Sequence, residues 1–105
     1  MNKGHEEEAA LGRTYAIMPR PSGMGSGWTL TLFDEGEEAG GGVFPVPEES
    51  PHVGMEWWNA LPVEERAYWL IKAASAVPAD ARHACLLAAA YDDAMHEGED
   101  WIGNP

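Results

Sequence analysis

Hydrophobic and polar residues alternate with a period of two in the segment WTLTLF, residues 28–33. The alternation places Trp28, Leu30 and Leu32 on one face of an extended segment and the residues between them on the other. This spacing is typical of a strand with one buried face. We therefore predict a strand over residues 28–33.

Two flanking segments complete a predicted sheet. Residues 13–19, RTYAIMP, have the β-branched and aromatic composition of a strand, and residues 37–44 can return antiparallel to residues 28–33. The intervening DEG predicts a type I turn in which Gly36 takes the left-handed conformation and closes a bulged hairpin. The first half of the chain thus predicts a small three-stranded antiparallel sheet, preceded by a flexible tail at residues 1–12.

The hydrophobic period changes to that of a helix after the linker PVPEES. Ser50 can cap a short helix that has Pro51 in its first position. Pro62 and Pro78 would each open a further helix. The second helix carries a predicted buried stripe of apolar residues at helical spacing: Val63, Ala67, Leu70, Ile71, Ala74 and Val77.

The third predicted helix is rich in alanine, which allows a neighbour to approach closely. We predict that Gly98 ends this helix and that Trp101 and Ile102 fold back. Its predicted packing face is apolar: Ala81, Ala84, Leu87, Ala88, Tyr91 and Met95. The whole pattern predicts a single α+β domain over residues 13–105, with the sheet packed on a C-terminal helical hairpin plus a short helix.

Charge narrows the class of partner. The 105 residues include 18 acidic and 6 basic side chains, for a net charge of -12. Such a surface repels phosphate backbones and anionic lipid, so we predict no direct contact with nucleic acid or membrane. A basic protein or nucleoprotein complex is the expected partner. With no signal peptide or apolar run of transmembrane length, a cytoplasmic location is expected.

The carboxylates are also segregated along the chain. Nine of them, and no lysine or arginine, lie between Arg20 and Arg66, and five more follow Arg82 without a cation. This distribution indicates either a surface selected for negative potential or one that only keeps the protein soluble. Within the acidic stretch, the glycines at 40–42 weaken the return strand. They either admit a packed tryptophan or leave a bare strand edge for a partner.

Four aromatic residues are concentrated in GMEWWNALPVEERAYWL: Trp57, Trp58, Tyr68 and Trp69. They either cap a small core or form a contact patch of the kind enriched at protein interfaces. Combined with the acidic stretch, they give the predicted partner-binding residues: Asp34, Glu35, Glu37, Glu38, Glu48, Glu49, Trp57 and Trp69.

Catalytic motifs are lacking. Asp92 and His96 have the i, i+4 spacing of a helical metal pair, but two ligands make a weak site, and a solvated acidic helix end is favoured. The single cysteine, Cys85, lies at an apolar helical position and is expected to be an inert thiol. We therefore predict no enzymatic activity, no cofactor and no metal.

Two motifs, GGGVFPVPE and GMEWWNALPVEERAYWL, resemble small uncharacterised proteins of proteobacterial plasmids and integrative elements. The resemblance covers most of the chain from Tyr15 onward and assigns no functional residue. The compact, acidic composition also resembles anti-CRISPR and anti-restriction inhibitors, many of which occupy basic surfaces meant for nucleic acid. That resemblance implies a non-catalytic inhibitor of a basic nucleic-acid-handling partner, acting by nucleic-acid mimicry.

An alternative hypothesis is a small regulatory or antitoxin-like protein. Its aromatic helices would bind the partner, and its charge would serve solubility only. The sequence leaves the oligomeric state open.

Overall fold

The predicted strands form one antiparallel sheet, and three helices follow it. The computed structural model describes residues 12–21 and 23–103. The elements are β1 (Arg13–Pro19), β2 (Gly27–Asp34), β3 (Glu37–Pro45), α1 (Pro51–Ala60), α2 (Val63–Ala73) and α3 (Pro78–Gly103). Strand β2 is central, between β1 and β3. The predicted α+β class and element order are confirmed. Of the predicted tail, residues 1–11 lie outside the described residues.

The turn between β2 and β3 differs from the prediction. Asp34 pairs directly with Glu37, so the loop has two residues, Glu35 and Gly36. Both have positive φ, 54° and 83°, as in a type I′ turn. The twist of that turn matches the twist of the two strands, whereas a type I turn would splay them.

The predicted bulge exists, but it lies inside β3 and not at the turn. Leu32 pairs with Gly40 and Phe33 with Glu38, which leaves Ala39 as the extra residue. Beyond the bulge, Gly41 has a φ of 155°, and a Cβ there would overlap the Leu30 carbonyl oxygen. The close neighbour of Gly41 is therefore the backbone of β2, and not a packed tryptophan, which was one of the two alternatives for these glycines.

Helix α1 begins as predicted and is joined tightly to α2. The Ser50 hydroxyl accepts a hydrogen bond from the backbone three residues on, and Pro51 is the first helical residue. At the other end, the Arg66 guanidinium of α2 donates to the carbonyls of Trp58 at 3.1 Å and Asn59 at 3.2 Å. The Trp58 carbonyl also accepts from the Leu61 backbone N–H at 3.2 Å, so Arg66 adds side-chain hydrogen bonds at a helix end where carbonyls lack intrahelical partners.

The predicted buried stripe of α2 is wrong except at Leu70, which is half-buried. Val63 is 73% exposed and Ile71 78% exposed, and no residue of the helix is fully buried. The other more buried residues of α2 are Arg66, Trp69 and Ala73, which have helical spacing with Leu70. Arg66 and the large Trp69 ring take the inward positions, which turns the rest of the predicted stripe toward solvent. Val77, beyond the helix, is also 51% exposed.

Helix α3 begins at Pro78 as predicted, but Gly98 does not end it. The helix continues to Gly103, so Trp101 and Ile102 are helical and do not fold back. Gly98 is buried against the Tyr15 ring, where a Cβ would lie 2.5 Å from Cδ2 of that ring. The glycine therefore permits a close approach and is not a helix cap.

The packing face of α3 also differs in part from the prediction. Ala81, Ala90 and Ala94 are buried, whereas Tyr91 is 38% exposed. The remaining residues of the predicted face are half-buried: Ala84, Leu87, Ala88 and Met95.

The chain divides into two compact units. The first comprises the sheet and α3 from Ala90 onward. Leu30 of the central strand is 1% exposed. The second unit, Val46–Ala89, contains α1, α2 and the first part of α3, with Ala81 buried.

Aromatic contacts hold the end of α3 on the sheet. The Trp28 and Tyr91 rings meet edge to face at 5.0 Å between centroids. The Trp101 indole N–H donates to the Phe33 carbonyl at 3.0 Å. The Tyr15 hydroxyl donates to Glu99 at 2.7 Å, and this hydrogen bond raises the pKa of the Tyr15 phenol.

Candidate functional site

Four carboxylates surround the turn between β2 and β3, and we call them the hairpin end: Asp34, Glu35, Glu37 and Glu38. All four are exposed. Asp34 and Glu37 stand directly opposite each other, and like charges in that position destabilise a sheet. Glu35 adopts a left-handed φ of 54°, which also costs energy for a residue other than glycine. The arrangement therefore concentrates charge at some cost in stability.

The arginines of the described residues form no ion pair with these carboxylates. Each contacts a group in its own unit: Arg13 the Trp101 ring and carbonyl, Arg20 the Ser26 carbonyl, Arg66 the last carbonyls of α1, and Arg82 Glu49. Arg13 lies across from Asp34 in the sheet, but its guanidinium is 4.0 Å from the Trp101 ring centroid. Within residues 12–21 and 23–103, no ion pair includes the hairpin end.

Glu49 has a different role from the one predicted. Its carboxylate accepts two hydrogen bonds from Arg82, at 2.8 Å from Nε and 2.6 Å from Nη2. This fork lowers the pKa of the Glu49 carboxyl and raises that of Arg82. Glu49 is therefore neutralised by an arginine 33 residues away in sequence, whereas no ion pair of the described residues includes its neighbour Glu48.

This pair gives a pH-dependent prediction. Because the folded-state pKa of Glu49 is lowered, its contribution to stability is present above the unfolded pKa of about 4.3 and is lost as the pH falls through the folded-state pKa. Glu49→Gln removes the contribution. We expect the difference in Tm between wild type and this variant to be largest near pH 7 and to shrink below about pH 4.

Circular dichroism melts between pH 7 and pH 3 measure this difference. Glu48→Gln is the matched control and should melt with the wild type throughout the range. A Glu49→Gln difference that stays constant with pH would contradict the assignment.

The two tryptophans predicted as exposed contacts are both half-buried. Trp57 lies 5.1 Å from the Arg82 guanidinium and 6.4 Å from the Trp58 ring. Trp69 meets Tyr68 edge to face at 4.8 Å. Tyr68 is 51% exposed and is the more accessible aromatic. Arg66 is among the more buried residues of α2. Trp69, three residues later, lies on the same side of the helix, whereas Tyr68 does not, which makes Tyr68 the outward-facing aromatic residue.

A groove in the second unit was not foreseen from the sequence. It has a volume of about 360 Å³ and lies between the segment before α1, α1 itself and the start of α3. Its walls are largely apolar, with Val46, Met55 and Leu86 among them, and the Arg82–Glu49 pair lines it as well. Residues distant in sequence form this groove, so no local motif marks it. It can accommodate an apolar side chain of a partner.

The remaining chemical candidates are isolated. His96 Nδ1 lies 2.8 Å from the Asp92 carbonyl oxygen, a contact within one turn of α3. The described part of the chain holds no group of three or more histidine, cysteine or acidic residues that could bind a metal. Burial raises the pKa of the Cys85 thiol, which lowers its thiolate fraction and its nucleophilicity.

Comparisons with protein families, curated proteins and solved structures find no match for this chain. Among the described residues, no helix is both long and apolar enough to cross a membrane.

Proposed function

We propose that this protein is a non-catalytic acidic module that binds and inhibits a basic, nucleic-acid-handling partner through the hairpin end. The observation that carries the proposal is the exposed group of four carboxylates, none of which forms an ion pair among the described residues. A surface of this kind attracts a cationic cleft over distances of about a Debye length, roughly 8–10 Å in physiological salt.

The charge spacing supports mimicry of a nucleic acid. Successive residues on a strand rise about 3.4 Å, and directly opposed residues on paired strands are about 5 Å apart. Each strand of DNA carries one charge per about 3.4 Å. Asp34 and Glu37 are directly opposed and project from one face of the sheet at a spacing close to the charge spacing along a DNA strand, whereas Glu38 projects from the other face because successive side chains alternate. A cleft lined with lysine and arginine to hold phosphates could bind the hairpin end.

A charge-matched pair of variants tests the proposal. The first changes Asp34, Glu35, Glu37 and Glu38 to lysine, and the second changes four other exposed acidic residues to lysine: Glu48, Asp92, Asp93 and Glu97. Four reversals of two charges each take the net charge from -12 to -4 in both. We expect the hairpin variant to bind at least about ten-fold more slowly than the control, because local potential steers the encounter.

The partner is first captured from the native host with wild-type protein, and association and dissociation rates are then measured for all three proteins. Competition between the wild-type protein and DNA for the partner is measured in parallel. Equal association rates for the two variants would mean that net charge alone controls binding, which would overturn the hairpin end as the binding site. Simultaneous binding of DNA and wild-type protein would overturn mimicry.

The groove beside Arg82 favours a second candidate function. A regulatory or antitoxin-like protein would insert an apolar side chain of its partner there, with Met55 and Leu86 in the walls. Salt separates the two functions, because electrostatic docking weakens as ionic strength rises while apolar docking persists.

A further inference from the structure

The solvent-facing side of α2 has an unusual composition. Two adjacent rows of residues with i, i+4 spacing lie on it, and we call them together the α2 face: Val63, Ala67 and Ile71 in one row, Glu64, Tyr68 and Lys72 in the other. All six residues are exposed. Single exposed apolar residues are normal, but a contiguous exposed row is typical of an interaction site.

The second row is self-complementary in charge. Glu64 lies one turn before Tyr68 and Lys72 lies one turn after it. Lys72 is the only lysine among the described residues, and its ammonium lies 5.8 Å from the Tyr68 ring centroid. The ion pairs of the described residues, His52–Glu56 and Glu49–Arg82, include neither Glu64 nor Lys72.

We propose that the α2 face is the interface of a homodimer in which two copies of α2 pair antiparallel about Tyr68. With a rise of 1.5 Å per residue, Glu64 lies about 6 Å before Tyr68 and Lys72 about 6 Å after it. In an antiparallel pair, Glu64 of each copy is therefore level with Lys72 of the other. A two-fold axis forms this contact twice, since the same surface serves both subunits.

The apolar row fits the same arrangement. Ile71 lies about 4.5 Å beyond Tyr68, whereas on the other copy Ala67 and Val63 lie about 1.5 Å and 7.5 Å from the axis on that side. Ile71 of each copy is therefore level with the gap between these two side chains and can pack into it. The small Ala67 allows the two helices to approach.

Charge complementarity identifies the occupant as a second copy of this chain. A cationic partner would be attracted by Glu64 but repelled by Lys72. An acidic partner would be attracted by Lys72 but repelled by Glu64. A copy of the face offers the opposite charge at both ends with the same spacing. The contact spans about three helical turns, so the dimer is expected to be weak and to form at concentrations of roughly 10 μM to 1 mM. This inference is independent of the hairpin end.

Sedimentation equilibrium of the full chain, at about 0.15 M salt to limit long-range repulsion, tests the interface with a charge swap. Glu64→Lys changes the net charge from -12 to -10, Lys72→Glu changes it to -14, and the double variant keeps -12. We expect each single variant to raise the dimer Kd about five-fold and the double variant to return it to within about two-fold of wild type. Simple repulsion between acidic molecules instead predicts tighter association for Glu64→Lys.

Ile71→Asp should abolish the dimer. Val43→Asp, at a comparably exposed apolar residue of β3 (54% exposed), should leave it unchanged, and circular dichroism shows whether each variant is folded. Three results would each overturn the proposal. The wild-type chain could stay monomeric up to 1 mM, the Ile71→Asp variant could still form the dimer, or the dimer Kd of the single charge variants could follow their net charge. The first of these results would leave the α2 face to a different partner.

Discussion

The Gly41→Ala variant is expected to lose about 3 kcal/mol or more of unfolding free energy. The backbone of Gly41 has a φ of 155°, where L side chains are strained, and the new Cβ would overlap the Leu30 carbonyl oxygen. That oxygen belongs to the central strand, and the Leu30 side chain is 1% exposed, so it cannot move without disturbing the core. The loss is a large share of the roughly 5–15 kcal/mol that stabilises a typical domain.

Gly40→Ala is the matched control for this prediction. Gly40 has nearly the same φ, 151°, but a Cβ there meets no atom within 4 Å. Both variants therefore carry the dihedral strain, and only Gly41→Ala adds the overlap with β2. Urea denaturation followed by circular dichroism should show a clearly larger loss for Gly41→Ala. Equal losses would mean that the close approach of the two strands contributes nothing.

Gly98→Ala is expected to destabilise the protein, although alanine is favoured over glycine in a helix by about 1 kcal/mol. The added Cβ would lie 2.5–2.8 Å from three atoms of the Tyr15 ring. Forcing extra atoms into a packed contact costs about 1–3 kcal/mol. The ring would have to shift, which would also disturb its hydrogen bond to Glu99.

A double-mutant cycle with Tyr15→Ala separates these two effects. Removing the ring removes the overlap, so Gly98→Ala in the Tyr15→Ala background should stabilise the helix by about 1 kcal/mol. The same substitution should therefore change sign between the two backgrounds, as measured by urea denaturation. A stabilising Gly98→Ala in the wild-type background would show that the helix and the sheet are not in close contact there.

Local chemistry explains what the sequence could predict of this fold. Alternation in WTLTLF predicted β2, and Ser50 with Pro51 predicted the start of α1, because both signals depend on residues next to one another. Two predictions failed where the deciding neighbour is distant. Gly98 has the ordinary signature of a helix end, but its role depends on the Tyr15 ring, 83 residues earlier in sequence.

The α2 prediction failed for a related reason. Periodicity identifies a possible apolar face, but it does not say which face of a helix meets a neighbour. In this helix Trp69 and Arg66 lie on the inward side, and Arg66 donates hydrogen bonds to the carbonyls of Trp58 and Asn59. The apolar row of Val63, Ala67 and Ile71 is left at the surface.

The candidate site divides in the same way. Four acidic residues close together in sequence around a turn could be predicted as one exposed group, and the structure has them so. The pairing of Glu49 with Arg82 joins residues 33 positions apart, so charge counting along the chain placed Glu49 wrongly among the unopposed carboxylates. The groove is formed by equally distant residues and had no signal in the sequence.

The scarcity of cations also limits how the chain can be degraded. Proteases of the trypsin class cleave after lysine or arginine, and residues 21–65 contain neither. Of the arginines that border this segment, Arg20 precedes a proline, a bond that these proteases do not cleave, and Arg66 is bonded to the end of α1. The hairpin end therefore lies in a stretch without a cleavable bond for such enzymes, and the composition that makes the surface negative also protects it from them.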